Sequence, residues 1–397
     1  MAAIIAPASV IDLELPTGPI GSSGSDRRDD IDLKHQRLAQ LLTEVECDGL
    51  LLLNPTNFAW LTSGAVARCI LDPQEQPALF FTPTQRWLLC SNTESQRMFD
   101  EELDGMGFML KEWPWHWGRA QLLADLVVNR KVACDELLQG VKFVGDRLRM
   151  MRRVLTPYEQ ACARQAGQIV AHALEATCRS ALPGDTEREL AGQIAHRLYR
   201  RGASPAMISV AADGRLREYR RHGFTSASVE KYAVLTCTAR KYGLYVTASR
   251  TFCFGPADDT LRKEYLTACK VAATFIASTW PDASIKEMFN AAKRTYLLTG
   301  FEHEWRACPQ GWIGGRAPVE LPLLPDSPTL LQNGWLATWS PTVGGAACVD
   351  SFLVLETGAE RLTPTEQWPL VSLRISGMEV VTPNLLERPW PDSHSPS

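Results

Sequence analysis

The sequence predicts a two-domain α/β protein: a small α/β unit, then a larger α+β unit whose order of helices and strands occurs twice. Three observations predict it. Residues 33–45 carry Leu33, Leu38, Leu41 and Leu42 near helical spacing and run into the apolar stretch 49–53, after which short helices and strands alternate. Three capping boxes, Thr156/Glu159, Thr186/Glu189 and Ser284/Glu287, then open helices in the second part of the chain. Residues 232–255 read as a hairpin: 232–238 alternates apolar and polar side chains, 243–254 is rich in Tyr, Val, Thr and Phe, and Lys241, Tyr242 and Gly243 form the turn.

Composition narrows the function classes. A chain of 397 residues, 45% hydrophobic and 22% charged, can bury a sizeable core. A net charge of -4 and a pI near 6.0, with Lys and Arg spread along the chain, give no field that gathers nucleic acid or anionic membrane, so neither is an expected partner. Eleven Cys without a C-x-x-C pair make neither a disulfide framework nor a zinc ribbon, which points to a reducing compartment. With no signal-peptide pattern and no apolar run long enough to cross a bilayer, the expected location is the cytoplasm.

In chain order, residues 1–30 mix Pro, Gly and Ser and read as a disordered leader. The small domain is assigned to 31–150, with a turn at 54–57, strands at 77–82, 86–91 and 131–134, and helices at 93–103 and 119–128. Trp113, Trp115 and Trp117 alternate along an extended segment, suited to stacking or to core or dimer packing. The larger domain is assigned to 151–385. Pro157 behind the Thr156 cap starts its first helix, and helix pairs at about 157–200 and 259–300 are each followed by strands. Residues 386–397 read as a flexible tail.

Ser249, Arg250, Thr251 and Phe252, with Gly243, match the central hairpin of the creatinase, aminopeptidase P and methionine aminopeptidase superfamily, which the chain resembles. Residues 37–64 resemble the start of that superfamily's N-terminal domain, and 148–159 its interdomain join. The resemblance covers about 37–364 and implies a creatinase-like N-terminal domain followed by a pita-bread domain with pseudo-twofold symmetry. It also implies a homodimer. The family's dinuclear metal site uses two Asp, one His and two Glu. Aligned motifs put Thr236 and Thr247 at the Asp positions, Gly311 or Gln310 at the His, and Ser340 and Val349 at the Glu positions. No metal and no other cofactor is therefore expected.

Creatinase, in the same superfamily, opens a C–N bond without metal, using a His as acid and base. His222 stands near that position, with Arg221 in its place if the register slips by one; its bland alternative is a solvated loop histidine. The segment 213–222, with Glu230-Lys231-Tyr232 and Ala239-Arg240-Lys241, also resembles a bacterial subgroup of the superfamily. Asp350, beside the lost Glu, and Glu320, near the family's distal acid, are candidate catalytic carboxylates. Arg215, Arg220, Arg221, Arg240 and Arg250 suggest a site of inverted sign that takes a carboxylate or phosphate, with Thr236, Thr247, Gln310 and Ser340 lining it. Glu302, His303 and Glu304 are either further acid/base groups or a polar strand start, and Cys237 and Cys348 are better read as core than as nucleophiles. The expected function is a metal-independent, creatinase-like hydrolase or lyase acting on a C–N bond of a small carboxylate-bearing or amino-acid-like molecule, with a place in specialised metabolism. The alternative is a non-catalytic homologue that binds a ligand or protein; a metallopeptidase needs donors that these positions lack.

Overall fold

Helix α1 (Gly24–Glu44) begins inside the segment expected to be a leader. The computed structural model describes residues 24–390 apart from 68, 69, 71 and 366, so the earlier part of that leader and the end of the expected tail lie outside the described residues. The early start has a cause in tertiary contacts: Arg27 donates to the Thr62 carbonyl at 2.8 Å, and Asp30 is buried against Lys34, Ser63 and Thr156.

The small domain continues with β1 (Gly49–Leu52), α2 (Pro55–Leu61), β2 (Ala78–Phe81), β3 (Arg86–Ser91), α3 (Ser95–Arg97), β4 (Met109–Trp113), α4 (Ala120–Val127), β5 (Val132–Cys134), β6 (Lys142–Phe143) and α5 (Gly145–Arg153). Its strands form one mixed sheet in the order β4-β3-β2-β1-β5-β6. The expected turn at 54–57 is instead the start of α2. Asn54 Oδ1 accepts from the Thr56 N–H at 2.9 Å, and Pro55 occupies the first helical position, where its missing N–H costs nothing.

The larger domain opens with α6 (Pro157–Ser180) and α7 (Glu187–Arg200), both with complete capping boxes, followed by β7 (Ser204–Ala212), the short α8 (Arg215–Glu218), β8 (Tyr232–Lys241) and β9 (Leu244–Phe254). The same order then recurs in α9 (Asp259–Ala277), α10 (Ile285–Thr299), β10 (Gly311–Gly314), β11 (Leu321–Pro322), β12 (Leu336–Trp339), β13 (Thr342–Val343), β14 (Ala346–Ala347), β15 (Asp350–Leu355) and β16 (Gly358–Arg361). Strands β17 (Leu370–Ile375), β18 (Met378–Pro383) and β19 (Leu386–Arg388) close the chain. One sheet runs β19-β9-β8-β7 and the other β11-β10-β12-β15-β16. The two-domain, pseudo-twofold pita-bread architecture is thus the observed one. Strand β19 corrects the expected tail: it pairs parallel with β9 through Leu386↔Phe252 and Arg388↔Phe254.

Each helix pair buries its apolar stripe on one sheet. Ala163, Ala166, Val170, Ala173 and Leu174 of α6 pack with Leu235, Cys237, Val246 and Ala248, whereas Val271, Ala272 and Phe275 of α9 pack with Ile313, Ala337 and Trp339. Helix α6 comes so close that a Cβ at Gly167 would stand 1.9 Å from the Leu362 carbonyl oxygen. The β8–β9 turn needs positive φ at both central residues, 52° at Tyr242 and 70° at Gly243, as two-residue hairpins favour. Among the described residues no helix is long and apolar enough to cross a membrane.

The two domains are joined by buried charge. Glu159, at the first turn of α6, lies 2.8 Å from Lys34 Nζ of α1 and 2.7 Å from Arg316 Nη2, and Lys34 is also 2.5 Å from Asp30. Two cations and two anions balance. A second link runs from Glu320, held at 2.8 Å by Arg152 Nε and again by Nη2, through Arg152 Nη1 to Asn57 and on to Asp135. Burial alone would raise the Glu159 carboxyl, but Lys34, Arg316 and the Thr156 N–H hold it down at about 2.

Removing one partner leaves the other charge buried, so Lys34→Met or Glu159→Gln is expected to cost about 3–5 kcal/mol in denaturant unfolding. Because the folded pKa of Glu159 lies below its ordinary 4.5, its stabilisation is complete above pH 4.5 and fades as pH falls towards about 2. The stability gap between the native protein and Glu159→Gln should narrow across that window.

Candidate active site

The residues expected to replace metal donors stand where the two sheets meet. Strand register sets Ser209, Thr236 and Ser249 side by side, and Thr238 opposite Thr247, so all five side chains share one face of the β7–β8–β9 sheet. The second sheet abuts this face at β15. The Ser249 N–H donates to the Val349 carbonyl at 2.8 Å, and the Val349 N–H donates to Ser249 Oγ at 2.9 Å. Beside them the Thr238 and Thr247 hydroxyls lie 2.9 Å apart, Ser351 Oγ accepts from the Thr247 N–H at 3.0 Å, and the Thr338 hydroxyl is 2.8 Å from Ser351 Oγ. Ser340, half-buried, is tied to Gln310 through its N–H and the Gln310 carbonyl at 2.8 Å.

These positions do not offer what a pair of hard divalent cations takes. At the positions that motif alignment assigns to the four carboxylates stand two threonine hydroxyls, a serine hydroxyl and a valine, and the Thr247 hydroxyl is already bonded to Thr238. Gly311 carries no donor. A Cβ there would come within 2.5 Å of the Trp339 ring and 2.7 Å of the Thr338 carbonyl oxygen. Gln310 turns its amide away towards α10, accepting from Tyr296 Oη at 2.7 Å and donating to the Cys308 carbonyl at 2.9 Å. Among the described residues no group of three or more His, Cys, Asp or Glu is placed to hold a metal ion.

The two carboxylates expected to be catalytic are engaged elsewhere. Asp350 pairs with Trp339, so alternation sends its side chain to the face opposite Val349 and Ser351. There it accepts from Arg250 Nη1 at 3.0 Å and Thr363 Oγ1 at 2.6 Å, and pairs with Arg361. Glu320 is consumed by Arg152. Arg250, expected to receive an anion, is fully buried on the far face between Asp350 and Glu175, at 3.0 and 3.1 Å. Burial would lower its pKa, but those two carboxylates outweigh burial and keep it protonated. A guanidinium so balanced has no charge left for a ligand.

The remaining arginines belong mostly to the loop between β7 and β8. Asp213 closes this loop: its carboxylate accepts three successive N–H groups, from Glu230 at 2.7 Å, Lys231 at 2.8 Å and Tyr232 at 2.9 Å. Glu187, buried at the start of α7, ties both limbs, accepting from Arg215 Nε and from the Thr225 N–H at 2.7 Å each. Arg215 is thereby neutralised and lies over the Tyr219 ring. Arg217 pairs with Glu264 at 2.7 Å and Arg220 with Glu304 at 2.9 Å, while Arg221 is exposed. Arg240 stands one row beyond Thr238, its guanidinium 5.9 Å from the Tyr245 ring centroid and its Nε buried without a hydrogen-bond partner.

His222 is half-buried in the middle of this loop, and its backbone lies beside the Ser209–Thr236 row, since Ser209 Oγ donates to the His222 carbonyl at 2.6 Å. Its Nδ1 is 3.1 Å from the Tyr219 carbonyl, which accepts and so selects the tautomer protonated at Nδ1. Nε2 keeps its lone pair, is buried and has no hydrogen-bond partner among the described residues. Burial is the main cause that lowers the ring's pKa, so imidazole rather than imidazolium is the resting form near neutrality.

Sequence reasoning missed Glu175, Glu187 and Glu264, the acids that balance Arg250, Arg215 and Arg217. Two of them sit in helices whose apolar period hides an inward carboxylate, and Glu187 reads merely as first-turn dipole compensation. Cys308, with Sγ 2.9 Å from Thr342 Oγ1, was also overlooked. Cys237 and Cys348 are buried thiols, Cys237 pushed up to about 12 by burial. Trp113 packs in the small domain, whereas Trp115 and Trp117 are 61% and 71% exposed. A cleft of about 500 Å³ lies between α9 and the β17–β19 segment, lined by Arg262, Tyr265, Leu385 and Glu387, apart from this row.

Residues 161–382 match the family model described as metallopeptidase family M24. The Xaa-Pro dipeptidase of Pyrococcus furiosus is 25% identical over 344 residues, which span 84% of this chain and 98% of that protein. Among solved structures, the prolidase from Pyrococcus furiosus superposes with a TM-score of 0.70 at 18% identity, over 83% of this chain and 100% of the other. The X-Pro aminopeptidase from Thermotoga maritima MSB8 gives 0.71 at 18% identity, over 84% and 98%.

Two measurements check this site. Protein purified with added manganese, iron or zinc is expected to hold no stoichiometric metal by elemental analysis; two tightly bound ions per chain would refute the reading of Thr236, Thr247, Gly311, Ser340 and Val349. Arg250→Met is expected to lower stability by about 3–5 kcal/mol, because Glu175 and Asp350 then lose their buried counter-charge.

Proposed function

Because the chain belongs to metallopeptidase family M24 while its donor positions carry Thr236, Thr247, Gly311, Ser340 and Val349, we propose that it is a metal-independent, creatinase-like enzyme. Its reaction is the opening of a C–N bond, by hydrolysis or elimination, in a small carboxylate-bearing or amino-acid-like molecule. The observation that carries this reading is His222. A neutral imidazole with Nδ1 spent on a carbonyl and Nε2 unpaired is a base set for one proton, at the edge of a row of hydroxyls able to orient a polar substrate. Nε2 takes a proton from water, or from a carbon next to a carbonyl, and returns it to the departing nitrogen. Thr236 of the row and Ser340, just past β12 of the facing sheet, are both half-buried hydroxyls.

A second reading has its own support. The closed hydroxyl network of Thr238, Thr247, Ser351 and Thr338 favours a non-catalytic homologue that binds a ligand or a protein. Turnover separates the two. Incubated with a panel of N-acyl and N-carbamoyl amino acids and followed by mass spectrometry, the native protein is expected to release the amine. His222→Ala should abolish release while its thermal midpoint stays unchanged. Release that survives His222→Ala would end the role given to His222, and no turnover of any member together with saturable binding would favour the second reading.

Since burial lowers the His222 pKa, the base form persists into mild acid, and activity should be lost as pH falls through a value below the ordinary 6.5. An acid limb above 6.5 would contradict that assignment. We also propose a cytoplasmic homodimer; light scattering that shows a monomer at micromolar concentration would remove it.

A further inference from the structure

The tip of the β13–β14 hairpin is held by two near-identical clamps. In one, Glu264 joins Arg217, at 2.7 Å, to the Gly345 N–H, at 2.9 Å. In the other, Glu304 joins Arg220, at 2.9 Å, to the Gly344 N–H, at 3.3 Å, and Arg220 Nη1 donates back to the Gly344 carbonyl at 3.0 Å. Each clamp is a carboxylate received by a guanidinium and a glycine N–H, the pairing that recognises a free carboxylate in a ligand. The two differ in what carries the acid. Glu264 is set in the interior of α9 with its side chain 9% exposed, and its carboxylate lies so close to Gly344 that a Cβ there would stand 2.2 Å from it. Glu304 rides on a single 3-10 turn, Glu304–Arg306, with its side chain 22% exposed.

We infer that Arg220 and the Gly344 N–H form the subsite for the substrate's carboxylate, and that Glu304 occupies it in the unliganded chain as an internal stand-in. The inference rests on the proposed reaction for the chemistry after binding, but not for binding itself. Exchange of one carboxylate for another leaves Arg220 balanced throughout, while Glu304 moves only from a half-buried position into water. Arg220 lies two residues before His222 in the same loop. Glu304 thereby becomes a positioning residue that keeps the subsite formed when empty.

The test uses acetate as probe, at constant ionic strength, with acetamide as the uncharged control and the thermal midpoint as readout. Glu304→Ala empties the subsite, and Glu304→Gln removes the charge while keeping an acceptor for the Gly344 N–H. Acetate is expected to raise the midpoint of both variants by about 3 °C more than that of the native protein. The gain should vanish in Glu304→Ala/Arg220→Gln and persist in Glu304→Ala/His222→Ala, and acetamide should produce none. Equal acetate shifts in all of these proteins, or an equal effect of acetamide, would overturn the subsite. Loss of turnover in His222→Ala has no bearing on this result, so failure of the reaction and failure of the subsite are told apart.

Discussion

A buried charge must meet its opposite, and this constraint arranges most of the molecule. Glu159 has no exposed surface and answers both Lys34 of the small domain and Arg316 of the larger one. Each domain brings one cation and one anion to this cluster, Lys34 with Asp30 and Arg316 with Glu159, and the Lys34–Glu159 contact joins the two pairs across the junction. Helix α6, which carries Glu159 in its first turn, also packs against the hairpin, so the domain junction and the site share one rigid element.

The same rule explains why a face built of strands that could converge on cations is instead closed by hydroxyls. With no carboxylates at Thr236 and Thr247, a cation has nothing to balance it, and short neutral side chains bond to one another and to the neighbouring backbone. Arg250 and Asp350, which sequence motifs place beside the site, satisfy each other behind the sheet. The polarity of this face therefore comes mostly from oriented dipoles, with ionic charge in the loop that borders it and in Arg240, one row beyond Thr238.

Much of the fold was legible because its signals are local. The boxes at Thr156, Thr186 and Ser284 predict helix starts that the structure contains, and the Tyr242-Gly243 turn sets the hairpin register. Helix α1 was misplaced because Arg27, and Asp30 beyond its local pair with Lys34, gain partners from Thr62, Ser63 and Thr156, far along the chain. Asn54-Pro55 reads equally as a turn or a helix cap, and only the buried face of α2 decides between them. The site was legible in position but not in pairing. Motif alignment brings Thr236, Thr247, Ser340 and Val349 to the meeting of the sheets, yet nothing in a linear sequence says that Glu175 reaches Arg250 or that Glu320 reaches Arg152.

Asp213 binds three consecutive backbone N–H groups at the far end of its loop, so the loop leaves and rejoins the sheet at what is mechanically one point. A segment anchored in this way is a cassette. The Asp213 contacts hold its two ends together independently of the side chains between them, so exposed positions such as Arg221 can change without shifting the register of β7 against β8. Within this fold, the exposed positions between Asp213 and Tyr232 can therefore vary while the hairpin beneath is left as it is, much as a removable head is changed on a fixed tool.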